Sequence, residues 1–116
     1  MLSKILLGIT ISISCMAISM QAQTQGEMNA DAGKAYNKAD KELNAVYKKL
    51  VAKLSDAEKS ALKTQQRNWI KIKESDCKKE ADEYEGGSMA PMILYNCLEE
   101  KTIQRTKELR AMLTGR

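Results

Sequence analysis

The chain has 116 residues, with 19 Lys and Arg against 15 Asp and Glu, a formal net charge of +4, and no histidine. That length allows one domain and not two. Lack of histidine excludes Ser-His and Cys-His catalytic pairs. So mild a charge makes no case for a nucleic-acid or membrane-surface partner.

Residues 1–22 stand apart. Lys4 is the only charge among residues 1–26, and the run Ile5 to Met20 is apolar apart from small hydroxyls. A basic start, a short apolar run and small residues before a polar stretch read as a secretory signal peptide. The run is about 16 residues, short of the roughly 20 that a spanning helix needs. Cleavage is expected after Ala22, although Met20 is larger than the usual occupant two places earlier. Cys15 opens a lipoprotein alternative. It is disfavoured because Ser12 stands where a lipobox has an aliphatic residue, and the apolar run continues past Cys15. The expected product is periplasmic or secreted, with 94 residues and a net charge of +3 once Lys4 is removed. Export again argues against nucleic acid. A domain this small buries a modest core and often needs a staple.

The cysteines supply one. Without Cys15 two remain, Cys77 and Cys97, in a chain bound for an oxidising compartment. The reading is a disulfide, with two buried free thiols as the alternative. Zinc is a poor third choice with no histidine and two cysteines.

Residues 23–30 are polar and small and read as a flexible lead-in to a domain over 31–116. Tyr36, Ala39, Leu43, Val46, Tyr47, Leu50 and Leu54 recur at steps of three and four, which predicts one apolar helix face over 31–54. Ser55 and Glu58 form a capping box for a second helix over 56–84. Its broad inward stripe holds Leu62, Gln65, Gln66, Trp69, Ile70, Lys73, Cys77 and Tyr84. Glu85-Gly86-Gly87-Ser88 ends it, with Ser88 expected to cap a third helix over 89–113 and Pro91 in that helix's first turn. Leu94, Cys97, Leu98, Lys101, Arg105, Leu109 and Met112 line one side of the third helix, and Ile103 falls on the exposed side. No segment reads as a strand. The fold class is all-α: a small three-helix bundle with an antiparallel helical hairpin. Cys77 and Cys97 each lie ten residues from Gly87, so the hairpin brings them level.

No nucleophile–base pair stands out, and the chain is read as a non-enzyme with no cofactor and no metal. A carboxylate pair assembled by folding stays open. The acids Glu80, Asp82, Glu83 and Glu85 lie near the end of the second helix, where negative charge opposes the helix dipole. They read as a solvated helix end partly neutralised by Lys78 and Lys79, or else as a contact surface for a basic partner. Trp69 reads as core packing, its indole N–H bonded to a nearby carbonyl or amide. Arg105 is expected to meet Glu42, Asp40 or Glu74 inside the bundle, and Asn44 to bond at the edge of a helix contact.

An ordered set of pieces resembles the lysozyme-inhibitor LprI-like N-terminal domain family. The pieces are Ala39-Asp40-Lys41-Glu42-Leu43-Asn44 with Tyr47, then Gln66-x-x-Trp69 with Lys73-Glu74-x-x-Cys77, then Gly87-Ser88-Met89-Ala90-Pro91, Cys97-Leu98, Thr102, Arg105 and Leu109. The likeness covers roughly residues 28–113. The family typically has Arg-Asp where this chain has Lys73-Glu74, and many members carry a further cysteine near the first helix that is absent here. The resemblance implies an exported helical domain and, for the family's namesake, inhibition of lysozyme. A lysozyme-type muramidase is thus the expected protein partner, met through Glu80, Asp82, Glu83, Glu85 and Ser88. The alternative is a structural or accessory protein of the cell envelope that docks another envelope protein.

Overall fold

The computed structural model describes residues 24–116. The expected signal peptide, its cleavage after Ala22 and Cys15 lie outside the described residues. Among them are three helices and no strand: α1 Gln25–Val51, α2 Asp56–Asp82 and α3 Ala90–Thr114.

α1 starts six residues earlier than the periodicity predicts. The Thr24 hydroxyl accepts from Glu27 N–H at 3.1 Å and closes the first turn, with the Glu27 carboxylate at the positive end of the dipole. Residues 25–30, read as a lead-in, are therefore helical. The far end of α1 is tightened by short-range bonds from Lys53 N–H to the Leu50 carbonyl and from Leu54 N–H to the Val51 carbonyl. The capping box at α2 is formed as expected. Glu58 N–H donates to Ser55 Oγ at 3.2 Å, and Ser55 N–H donates to Glu58 Oε1 at 3.0 Å.

The turn between α2 and α3 departs from expectation at Ser88, whose side chain does not cap α3. The N-cap is Met89, with no side-chain cap bond, and Pro91 lies in the first turn where a missing N–H costs little. Gly86 takes φ +83°, the left-handed conformation that glycine adopts without penalty. The Ser88 carbonyl has another role: it accepts from Asn29 Nδ2 at 3.0 Å, tying the start of α1 to the turn.

The helices run up, down and up, so α1 and α3 are parallel and α2 is antiparallel to both. α1 and α3 form the most extensive pairing, α2 and α3 pair less, and α1 and α2 approach least. The Tyr95 ring lies over Gly33, where a Cβ would stand 3.6 Å from it, in ordinary van der Waals contact.

Two apolar clusters result. Leu43, Val46, Leu50, Leu62 and Leu109 fill one end, flanked by Tyr47, Val51, Leu54, Trp69 and Leu113. Cys77, Cys97 and Leu98 fill the other, flanked by Tyr36, Leu94 and Tyr95. The Cys77–Cys97 disulfide is formed, with the Cα atoms 5.5 Å apart. Thr102 and Thr106 are buried on α3 with their hydroxyls satisfied, donating to the carbonyls of Leu98 (2.7 Å) and Thr102 (2.8 Å) one turn back.

Exposed Ile103 agrees with the helical pattern. Tyr84, Met112, Ile70 and Gln65 do not reach the interior as the stripes predict. Tyr84 lies beyond the end of α2 in the turn, and Met112 lies in the last turn of α3, on the rim of a pocket beside Leu50, Leu62 and Gln65. Ile70 and Gln65 sit on the flanks of α2, which buries only Leu62, Lys73 and Cys77 of its 27 residues.

Candidate functional site

Two surfaces carry polar groups with unusual surroundings. The first is the turn that joins α2 to α3. Glu80, Asp82, Glu83, Glu85 and Ser88 are all exposed there. Asp82 accepts from Lys78 at 2.9 Å across one helical turn, and this bond raises the Lys78 pKa above its ordinary value. Glu80 and Glu83 form no salt bridge among the described residues. The α1 N-terminus adds Glu27 and Asp31 to the same end. Between the ends lies the disulfide, two to three helical turns from Gly86. It holds the two helices of this hairpin together below the acidic turn.

The second surface is the middle of the bundle, where a polar layer separates the two apolar clusters. Lys73 is 5% exposed. Its Nζ donates to the Tyr36 hydroxyl at 3.1 Å and lies 4.7 Å from the Trp69 ring centre and 5.4 Å from that of Tyr36. The ammonium is thus held by one phenol oxygen and two aromatic faces, a cation–π arrangement. The expected bond of the Trp69 indole N–H is not made to any described residue, and the ring serves as a platform for Lys73.

One helical step along, Arg105 is 8% exposed. Its expected partners Glu42, Asp40 and Glu74 do not reach it. Nε donates to Gln66 Oε1 at 2.9 Å and Nη1 donates to Glu108 Oε2 at 2.9 Å. Glu42 instead pairs with Arg110 on the outer face of the α1–α3 seam. Glu108 wins because it sits three residues along the same helix, whereas Glu42 faces outward. Nη2 of Arg105 is buried and has no hydrogen-bond partner among the described residues.

Two grooves flank this layer. One, of about 270 Å³, opens between α1 and α2 past Asp40, Asn44, Tyr47, Gln66, Trp69 and Lys73. Asn44 stands exposed on its lip and makes no bond across the helix contact. The other, of about 170 Å³, opens between α2 and α3 past Trp69, Lys73, Lys101, Arg105 and Glu108. Trp69 and Lys73 form the wall between them. Sequence reasoning placed Lys73 and Arg105 on inward stripes. It missed the grooves, which open between α1 and α2 and between α2 and α3 around large side chains.

Among the described residues no group of three or more acidic, cysteine or histidine side chains is placed to hold a metal ion. No helix among them is long and apolar enough to cross a membrane.

The family model described as "Lysozyme inhibitor LprI" matches residues 15–109. The chain belongs to the lysozyme inhibitor LprI family. A relative, an uncharacterized protein of Rhizobium meliloti (strain 1021), is 35% identical over 106 residues, covering 80% of this chain and 76% of its own length. No solved structure matches. Within the LprI family frame, Asp40, Asn44, Tyr47, Gln66, Trp69, Lys73 and Arg105 fall in the polar layer and its grooves, while Glu42 lies on the outer face of the α1–α3 seam. Gly87, Ser88 and Pro91 fall at the turn, Thr102 in the interior, and Leu43 in the apolar cluster.

Proposed function

We propose that this chain is an exported, non-enzymatic binding protein that inhibits a lysozyme-type muramidase. The observation that carries the reading is the family match over residues 15–109. The signal-like N-terminus and the disulfide suit an exported protein.

Charge decides how such a protein would approach. Many lysozymes are basic, and a mature chain of net charge +3 would be repelled at long range. The charge is not evenly spread. The end bearing the α2–α3 turn carries Glu27, Asp31, Glu80, Asp82, Glu83 and Glu85 against Lys34, Lys78 and Lys79. The opposite end is rich in Lys48, Lys49, Lys53, Lys107 and Arg116. A basic enzyme would therefore be met end-on, with the acidic turn leading and Ser88 beside it entering the cleft.

The test is a turbidity assay of cell-wall lysis with the purified mature protein and several lysozyme types. Lysis slows with the wild-type chain and recovers with the quadruple variant Glu80→Lys, Asp82→Lys, Glu83→Lys, Glu85→Lys. Unchanged lysis at excess protein with every lysozyme type would remove the inhibitor reading. It would leave the envelope-docking alternative, for which a pull-down from the envelope fraction is the next step. Inhibition that survives charge reversal would move the contact away from the turn.

A further inference from the structure

Arg105 and Lys73 place two cations in the interior of a small bundle with a shortage of anions around them. Arg105 is 8% exposed and Lys73 is 5% exposed. A guanidinium has five N–H donors and an ammonium has three. Arg105 spends Nε on Gln66 and Nη1 on Glu108, while Nη2 is buried and unpartnered. Lys73 has one oxygen partner, the neutral Tyr36 hydroxyl, and no carboxylate within salt-bridge distance among the described residues. Buried charge without an opposite charge, and a buried donor without an acceptor, are both costly. Both residues line the same groove of about 170 Å³ between α2 and α3, together with Lys101 and Trp69. Lys101 is itself drawn toward Asp76 at 3.5 Å, and Glu108 is the acid on the groove wall.

We propose that this α2–α3 groove is a binding site for a small organic carboxylate, held by Arg105 with Lys73 and Lys101 and walled by Trp69. A carboxylate is acceptor-only when ionised and matches the planar fork of a guanidinium. One oxygen meets the guanidinium where Arg105 lines the groove, and the other faces the ammonium side. The organic body of the ligand rests along Trp69 and Ile72. The volume suits a group the size of a sugar acid or a peptide C-terminus and excludes a folded partner. This inference stands apart from lysozyme inhibition: it uses the middle of the bundle and not the acidic turn.

Trp69 is the chain's single tryptophan, so its fluorescence reports on the groove directly. Titrations of the full mature protein with acetate, glucuronate and N-acetyl-alanyl-alanine separate the bare carboxylate from its sugar and peptide carriers. Glucose and N-acetyl-alanyl-alanine amide are the neutral controls. A saturable change in Trp69 emission is expected with at least one acid and with neither control. Arg105→Gln weakens binding about tenfold to a hundredfold, the usual worth of charge-assisted hydrogen bonds. Because Arg105→Gln risks unfolding a buried position, Lys101→Gln serves as a surface variant. It keeps the helical circular dichroism of the wild type and weakens binding to a smaller degree. No saturable change with any acid across the millimolar range overturns the proposal. So does an equal response to the neutral controls, or a response that survives in both variants.

Discussion

Lys73 on α2 donates to the Tyr36 hydroxyl on α1 at 3.1 Å, across the helix pair that approaches least. The bond spans 37 residues of sequence and is one of few polar ties between α1 and α2. Removing the oxygen while keeping the ring, by Tyr36→Phe, leaves the buried ammonium without an oxygen acceptor. The expected cost is about 1–3 kcal/mol in urea denaturation. Lys73→Met removes the charge and keeps the length, so it should be close to neutral or stabilising. A larger loss for Lys73→Met than for Tyr36→Phe would show that the ammonium is a net contributor, with the aromatic faces supplying more than the phenol.

The Cys77–Cys97 bridge closes a loop of about 21 residues, for which chain entropy gives roughly 3 kcal/mol. Cys77→Ser with Cys97→Ser, or reduction of the wild type, should lower stability by about that amount in chemical denaturation. Both sulfurs lie in the interior beside Leu98, so the double Ser variant also buries two hydroxyls. Cys77→Ala with Cys97→Ala should therefore lose less than the Ser pair.

Glu58 titrates in a way that sets an acid limit. Its pKa is lowered from 4.5 to about 2, first by the backbone N–H of Ser55, then by the Arg116 guanidinium at 2.8 Å, then by the Ser55 hydroxyl. A folded-state pKa below the unfolded value gives stability that is present above 4.5 and lost as pH falls toward about 2. Glu58→Gln should flatten the stability profile across that window and leave other pH values nearly parallel. Thermal melts at stepped pH read this out.

Gly86 stands at φ +83° with open space where a Cβ would be. Gly86→Ala therefore meets no neighbour and carries only the backbone cost, about 1 kcal/mol. Gly86→Asn should cost less, since Asn tolerates this conformation. At Gly87 the situation is steric instead, because a Cβ would lie 3.2 Å from the Tyr84 carbonyl oxygen. Equal melting points for Gly86→Ala and wild type would mean that the turn readily adopts another conformation.

Much of the bundle was legible because it rests on periodicity and local chemistry. The steps from Tyr36 to Leu50, the Ser55–Glu58 box and the equal arms about Gly87 are local signals, and each was met in the structure. Part of what failed depended on neighbours distant in sequence, and part on local bonds that no apolar stripe announces. Thr24 begins a helix because it caps Glu27, but residues 25–30 are apolar-poor and show no stripe to announce it. Ser88 looks like a cap by type, yet its carbonyl is claimed by Asn29 from another helix. Arg105 was paired in anticipation with acids of α1 and α2, whereas Gln66 and Glu108 lie closer once α2 is turned. The grooves were invisible because a stripe of apolar residues specifies which side faces inward and not how far apart two helices stand. The acidic turn was seen from composition alone; its exposure is now established, and its role in binding is the matter of the lysis assay.

The bridge has a further consequence for the exposed turn at 83–89, which offers a protease its most accessible peptide bonds between two helices. A single cut there would fall inside the covalent ring closed by Cys77 and Cys97. The two pieces would stay joined through sulfur, migrate as one band without thiol, and part only on reduction. Backbone damage at the tip would thus be tolerated by the assembled bundle until its redox surroundings changed.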